Sequence, residues 1–349
     1  MGTSDRTGPM GRGASALLDV ATPGTTFGIG SLPHLSAAQA AAYAFDAFDI
    51  PTVPSLPRRS PAELEVAQTL IGVPGVSLGQ YGAVAVDCAR LDPDAEVMTD
   101  LEGAQFIGLR AFLAEARARE HVGAVKWQLL GPISAGIALL RAGAPPDVAF
   151  GVALHAVRSH AEVVGSAIAE ALPDCPQLAV FDEPMAEGLM AADFPIAPDH
   201  AIDLLSGAMA TLEPHTTVGV HSCTGADLAT LLAAGPHVVS VPIGSDVVPL
   251  AGYVDRFLAH GGWVAWGAVA TGGPIGRSTR GWQRMSQVFC DLVRAGCDQE
   301  LLSSQCFITP ECGLGSHSTS VAQQVAEELQ QTSLSLMSEA ATARFVLGA

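Results

Sequence analysis

His221 and Cys223 stand two residues apart at the end of the apolar run Thr217-Val218-Gly219-Val220. Side chains two apart on a strand point to the same side, so both would project from one strand end. Imidazole and thiolate together are a donor pair that suits zinc. A third donor, Cys312, follows the apolar run Phe307-Ile308 and sits in the Pro/Gly-rich turn Thr309-Pro310-Glu311-Cys312-Gly313-Leu314-Gly315. Three protein ligands with one open position is how a catalytic zinc is held. Asp246, in Gly244-Ser245-Asp246 after the next strand, is a candidate fourth. By spacing alone, ordinary buried strand positions fit His221 and Cys223 equally well.

The elements that must position these groups read as a regular alternation. Strands are expected at 25–31, 50–56, 124–130, 177–181, 217–223, 238–241, 263–267 and 306–308, each followed by a helix. Pro51 and Pro54 interrupt the second of these, and 76–87 reads as a hairpin excursion outside the repeat. Near-continuous apolar strands alternating with helices predict a parallel sheet covered by helices. Eight such units favour an α/β fold of the (β/α)8 TIM-barrel type, a single domain over 21–349 behind a flexible tail at 1–20. No GxGxxG follows the first strand, which speaks against a dinucleotide-binding sheet. In such a barrel the active site lies where strands end and βα loops begin. Ile29-Gly30-Ser31, Asp182-Glu183, His221 with Cys223, and Cys312 all fall at those ends.

Composition narrows the partners. A hydrophobic content of 49% with 15% charged residues supports a large core. The net charge of −18, from 17 Lys and Arg against 35 Asp and Glu, repels a phosphate backbone and excludes nucleic acid as a general partner. No apolar run is long enough for a membrane span, and residues 1–15 lack the apolar core of a signal peptide. A cytoplasmic location is expected. The seven cysteines show no CxxC pair and no disulfide spacing. His34 reads as a solvated loop residue near the rim, Arg277 and Arg280 as surface cations, and Trp127, Trp263 and Trp266 as packing.

Taken in order, Gly28-Ile-Gly-Ser-Leu-Pro33, Phe181-Asp-Glu-Pro184, Val220-His-Ser-Cys223 and Thr309-Pro-Glu-Cys-Gly-Leu-Gly315 resemble the catalytic, C-terminal barrel of the cobalamin-independent methionine synthases. Gly131-Pro132-Ile133 and Ala265-Trp266-Gly267 point to the short, single-barrel relatives of that family. The resemblance implies zinc on His221, Cys223 and Cys312, with a small-molecule thiol bound to it as the thiolate. It also implies an amino-acid end held by Ile29, Gly30, Ser31 and Asp182, with Glu183 beside them. The physical logic holds independently: a free thiol, with a pKa of about 8.5, is mostly protonated at neutral pH, and only the thiolate is a good nucleophile.

The chain also departs from the family. Pro242 stands where the synthases place a glutamate ligand, no Glu-Arg-Asn-Asp-type segment is found, and Ala268-Val269-Ala270-Thr271 replaces a catalytic histidine. The expected activity is therefore zinc-dependent methyl transfer to a thiol, homocysteine by default. The expected donor is methylcobalamin or a corrinoid protein rather than methyltetrahydrofolate. The alternatives are alkylation of a thiol by another electrophile, such as an epoxide, and a non-catalytic zinc- or thiol-binding barrel. A uroporphyrinogen-decarboxylase-like enzyme would share the fold but needs no such zinc site.

Overall fold

The strands are apolar at almost every position because both their faces are covered. In the computed structural model, residues 17–213, 215–223, 227–272 and 281–347 are described, which leaves Arg277, Arg280 and most of the N-terminal tail outside. Six strands, β3 (Val125–Leu130), β4 (Gln177–Asp182), β5 (Thr217–His221), β6 (Val238–Pro242), β7 (Trp263–Val269) and β8 (Cys306–Pro310), form one parallel sheet in sequence order. A short hairpin of β1 (Val76–Leu78) and β2 (Val84–Val86) stands apart as an antiparallel pair, the excursion expected from the sequence.

The sheet is curled, and two extended segments lie along its open edges. Thr26 bridges Ile308 of β8, Phe27 bridges Ile50, and Thr52 bridges Lys126 of β3, all in parallel sense. These are single bridges, so the strands expected at 25–31 and 50–56 are not regular ones. The reason for the second is local: Pro51 and Pro54 have no N–H to give a ladder. What remains is an alternating pattern, in which Lys126 N donates to Pro51 O at 2.9 Å and Val53 N to Lys126 O at 2.8 Å.

Strand alternation divides the core. Phe27, Ile50, Leu178, Val180, Val238 and Phe307 belong to an apolar cluster on the inner, concave face. Their chain neighbours, among them Ala179, Val239 and Ile308, pack instead into the larger cluster shared with the covering helices. Trp127 is one of these outward residues; its Nε1 donates to Gln177 Oε1 at 2.8 Å. Trp266 is likewise buried, so both serve packing as expected.

Two helices were not legible beforehand, Pro132–Arg141 and Gln299–Ser304. Gly131-Pro132 reads as a strand stop, yet proline is also favoured in the first helical turn, where its missing N–H costs nothing. The helix it opens is buried from Pro132 through Leu139. By contrast Ser36 caps the helix Ala37–Ala47 as expected, accepting from Gln39 N. No helix among the described residues is long and apolar enough to cross a membrane.

His160, on the 26-residue helix Pro146–Ala171, fastens the excursion to the body. It is fully buried. One ring nitrogen pairs with Thr99 Oγ1 at 2.7 Å, and the other donates to Ile71 O at 2.9 Å. Burial pulls its pKa down to about 4, against the pull of the Ile71 carbonyl. A histidine held neutral contributes stability that is present above its unfolded pKa and lost as pH falls toward the folded one. The stability advantage of wild type over His160→Gln should therefore shrink by about 2 kcal/mol between pH 6.5 and 5. Urea unfolding at the two pH values measures it, and a constant difference would mean that the native protein binds the proton.

Candidate metal and thiol site

The register of the parallel strands sets the site. Asp182 on β4 pairs with His221 on β5, and His221 with Ser240 on β6, so three polar side chains face inward side by side at the strand ends. Ser240 Oγ and His221 Nδ1 are hydrogen-bonded at 2.9 Å. This fixes the ring and leaves Nε2 buried with no hydrogen-bond partner. Burial, together with Lys126, keeps the imidazole neutral, with Cys312 working the other way. A neutral ring anchored through one nitrogen is the form in which histidine ligates a metal.

Cys312 meets the end of β5 from the far side of the sheet. Cys223, His221 and the Gly313 N–H lie close enough to hold Cys312 well below the ordinary thiol range. The same closeness, together with burial, pushes Cys223 up. Both cysteines are half-buried. The His221, Cys223 and Cys312 of the sequence reading are thus brought together, about 90 residues of chain being folded back between them. As they stand, no three or more His, Cys, Asp and Glu among the described residues are arranged to hold a metal ion. The fit to zinc rests on the donor types and on the buried Nε2, which has no hydrogen-bond partner though Cys312 lies near the ring.

The turn carrying Cys312 is braced on both sides. Leu314 N donates to Ser31 O at 2.8 Å, and Gly315 N to Ser31 Oγ at 3.3 Å. On the other side Arg284 bridges Glu311 Oε1 at 2.8 Å and the Ile243 carbonyl at 2.9 Å, next to Pro242. Gly30 has φ +148°, and a Cβ there would lie 2.2 Å from the Gln128 amide nitrogen, so only glycine fits. Asp246 is exposed, in the 3-10 turn Ser245–Leu250.

Asp182 and Glu183 have different fates. Both Asp182 carboxylate oxygens are buried and have no hydrogen-bond partner. Burial, with Glu65 nearby, raises its pKa well above the ordinary range, and Lys126 opposes the rise. Glu183 points the other way, as alternation requires. Its Oε1 accepts from Ile133 N at 3.0 Å and its Oε2 from Ser134 N at 2.7 Å, closing the N-terminus of the helix that Pro132 opens. Burial pushes the Glu183 pKa up to about 7, against the pull of these hydrogen bonds at the helix start. His34, expected in solvent, is buried, its ring 5.1 Å from that of Tyr43.

The structure adds two groups that the sequence reading missed. Lys126 lies inside β3, its ammonium bonded to the Ile29 carbonyl and to Gln128 Oε1 at 3.0 Å. Burial draws its pKa down to about 8, while Asp182 and Glu65 draw it up. Glu65, in the first turn of Glu65–Leu70, has a pKa raised by burial, opposed by Lys126. A signal existed for Lys126: Lys126 and Gln128 are two apart in an otherwise apolar strand, hence on one face. None existed for Glu65.

No model of a known protein family matches the sequence, and no curated protein matches it. Among solved structures, the chain is similar in fold to a B12-independent methionine synthase from Shewanella sp. W3-18-1, in complex with selenomethionine. The TM-score is 0.61 at 14% identity, over 92% of this chain and 100% of that one. A looser likeness, TM-score 0.39 at 15% identity over 97% of this chain and 89% of the other, is to a protein from Burkholderia cenocepacia J2315 named for lyase or mutase activity. The first similarity makes this an α/β protein sharing its fold with an enzyme.

The opposed side chains give a test. Glu183→Ala should cost about 1–3 kcal/mol in urea unfolding, because two N–H groups at a buried helix start lose their acceptor. Binding of a thiol amino acid by the folded variant should be unchanged. Lost binding with unchanged stability would put Glu183 at the ligand instead.

Proposed function

We propose that this chain is a zinc-dependent methyltransferase acting on a thiol, built on a (β/α)8 barrel in which the segments around Thr26 and Thr52 are the two remaining staves. The observation that carries the reading is the meeting of Cys312 with both His221 and Cys223 at the strand ends. The ligands would be His221 Nε2, Cys223 and Cys312. When bound, zinc would keep a substrate sulfur as the thiolate at neutral pH. Ser240 orients the imidazole, and the braces at Ser31 and Arg284 hold the Cys312 turn against it. The half-buried Ser31 hydroxyl suits a substrate carboxylate, whereas Asp182, whose buried oxygens have no hydrogen-bond partner, suits an ammonium.

That division of polar groups favours a zwitterionic thiol, with homocysteine as the default acceptor. The similarity in fold to a methionine synthase supports the same class of substrate. The donor is read from the last residues of β7. Expelling the folate nitrogen needs a positioned acid, and Ala268 and Val269 are apolar and buried. A methyl–cobalt bond releases Co(I) without a proton, so a methylcorrinoid, free or protein-bound, is the proposed donor.

The purified protein should hold about one zinc per chain, and Cys223→Ser combined with Cys312→Ser should remove it without unfolding the barrel. Metal analysis alongside circular dichroism reads both, and full retention of zinc in the double variant would dismiss the site. The donor is tested by methionine formation from homocysteine, with methylcobalamin and methyltetrahydrofolate supplied separately at equal concentration. Product is expected with the corrinoid; faster turnover with the folate would reverse the assignment.

A further inference from the structure

Lys126 has no task in the zinc reading, yet it is only 1% exposed. Taking an ammonium out of water costs several kcal/mol unless charges and hydrogen bonds compensate, so its burial needs a reason. Its bonds to the Ile29 carbonyl and Gln128 Oε1 fix where the charge sits, opposite Asp182 and Glu65. Gln128 in turn donates from Nε2 to Val53 O at 3.0 Å and packs against Gly30. Ile29 and Gly30 lead directly to Ser31, which receives Leu314 N and Gly315 N from the Cys312 turn. The fit is close: a Cβ on Gly313 would stand 2.1 Å from Ser31 Oγ. A continuous run of contacts therefore joins the buried ammonium to the turn that presents Cys312.

We propose that Lys126 is a positioning residue, whose ammonium anchors the Ile29–Gly30–Ser31 segment inside the barrel and through Ser31 sets the place of Cys312. The inference rests on the reading of Cys312 as a metal-binding thiol only for its first test. Lys126 touches neither metal nor reacting atoms; it acts through the backbone of Ile29. Loss of the ammonium would release the Ile29 carbonyl and let the Ser31 shelf, and the Cys312 turn resting on it, shift away from His221 and Cys223.

The experiment is a double-mutant cycle on the full chain, with Lys126→Met and Ser31→Ala alone and together. Zinc affinity is read by competition with a chromophoric chelator, and folding by circular dichroism. Lys126→Met is expected to remain folded and to weaken zinc binding by about 10- to 100-fold, as loss of groups behind a metal ligand does. Because both residues act through one shelf, the double variant should bind within about twofold of Lys126→Met. Wild-type affinity in folded Lys126→Met, or strictly multiplying effects, would overturn the proposal. Should Lys126→Met fail to fold, Lys126→Gln, which keeps a donor near Ile29 without the charge, enters the same cycle under the same criteria. If the wild type binds no zinc, the metal reading fails and a second readout decides the inference. Iodoacetamide labelling of Cys312, followed by peptide mass spectrometry, should then change rate in Lys126→Met and Ser31→Ala alike. Equal rates in all three proteins would overturn it.

Discussion

The parallel register of β4, β5 and β6 is the constraint on which the rest of the site depends. It aligns Asp182, His221 and Ser240 in one inward row. The ladder then runs one residue past the strands: Gly131 N bonds Asp182 O at 2.8 Å, Glu183 N bonds His221 O at 2.7 Å, and Ser222 N bonds Ser240 O at 3.0 Å. Backbone hydrogen bonds thus hold the residues that follow each strand as firmly as the strands themselves. A one-residue slip would turn His221 outward into the helical layer and bring Val220 to the site, because the side-chain period is two.

Polar groups at this depth are costly, and the fold answers each in a different way. Glu183 faces a helix start, where two N–H groups need an acceptor. Lys126 faces two carboxylates and a carbonyl. His221 Nδ1 is hydrogen-bonded to Ser240 Oγ. Asp182 alone has no hydrogen bond for either oxygen. Buried polar atoms are normally paired; Asp182 and His221 Nε2, on adjacent strands at the same level, are among the buried polar atoms without a hydrogen-bond partner.

The likeness to a solved methionine synthase is a likeness of fold, and a fold hosts many chemistries. The functional reading therefore leans on particular side chains. The departures matter as much as the matches. Pro242 ends β6 without a donor, and the space beside it is crossed by Arg284, reaching from its helix to Ile243 and Glu311. An ion pair there braces the Cys312 turn, a structural role at the place where the resemblance would put a ligand.

By itself the sequence determined the alternation of strands and helices, the hairpin excursion and the packing role of Trp127. Each is a matter of local period, which the chain states without help. By contrast, β5 stops at His221 and Cys223 lies past the strand end. The approach of Cys312 was foreseen only by assuming that strand ends converge, and the contact itself is tertiary. The same holds for what the sequence could not state. Glu183 reads like Asp182, but adjacent residues on a strand face opposite layers, and the helix start that claims Glu183 comes from about fifty residues earlier in the chain. The segments at 25–31 and 50–56 read as strands, but they make only isolated bridges, Pro51 and Pro54 interrupting the second. Lys126 and Glu65 come together from separate elements, and no local pattern records that one needs the other. Charges compensate through space, so only the folded chain decides which of them meet.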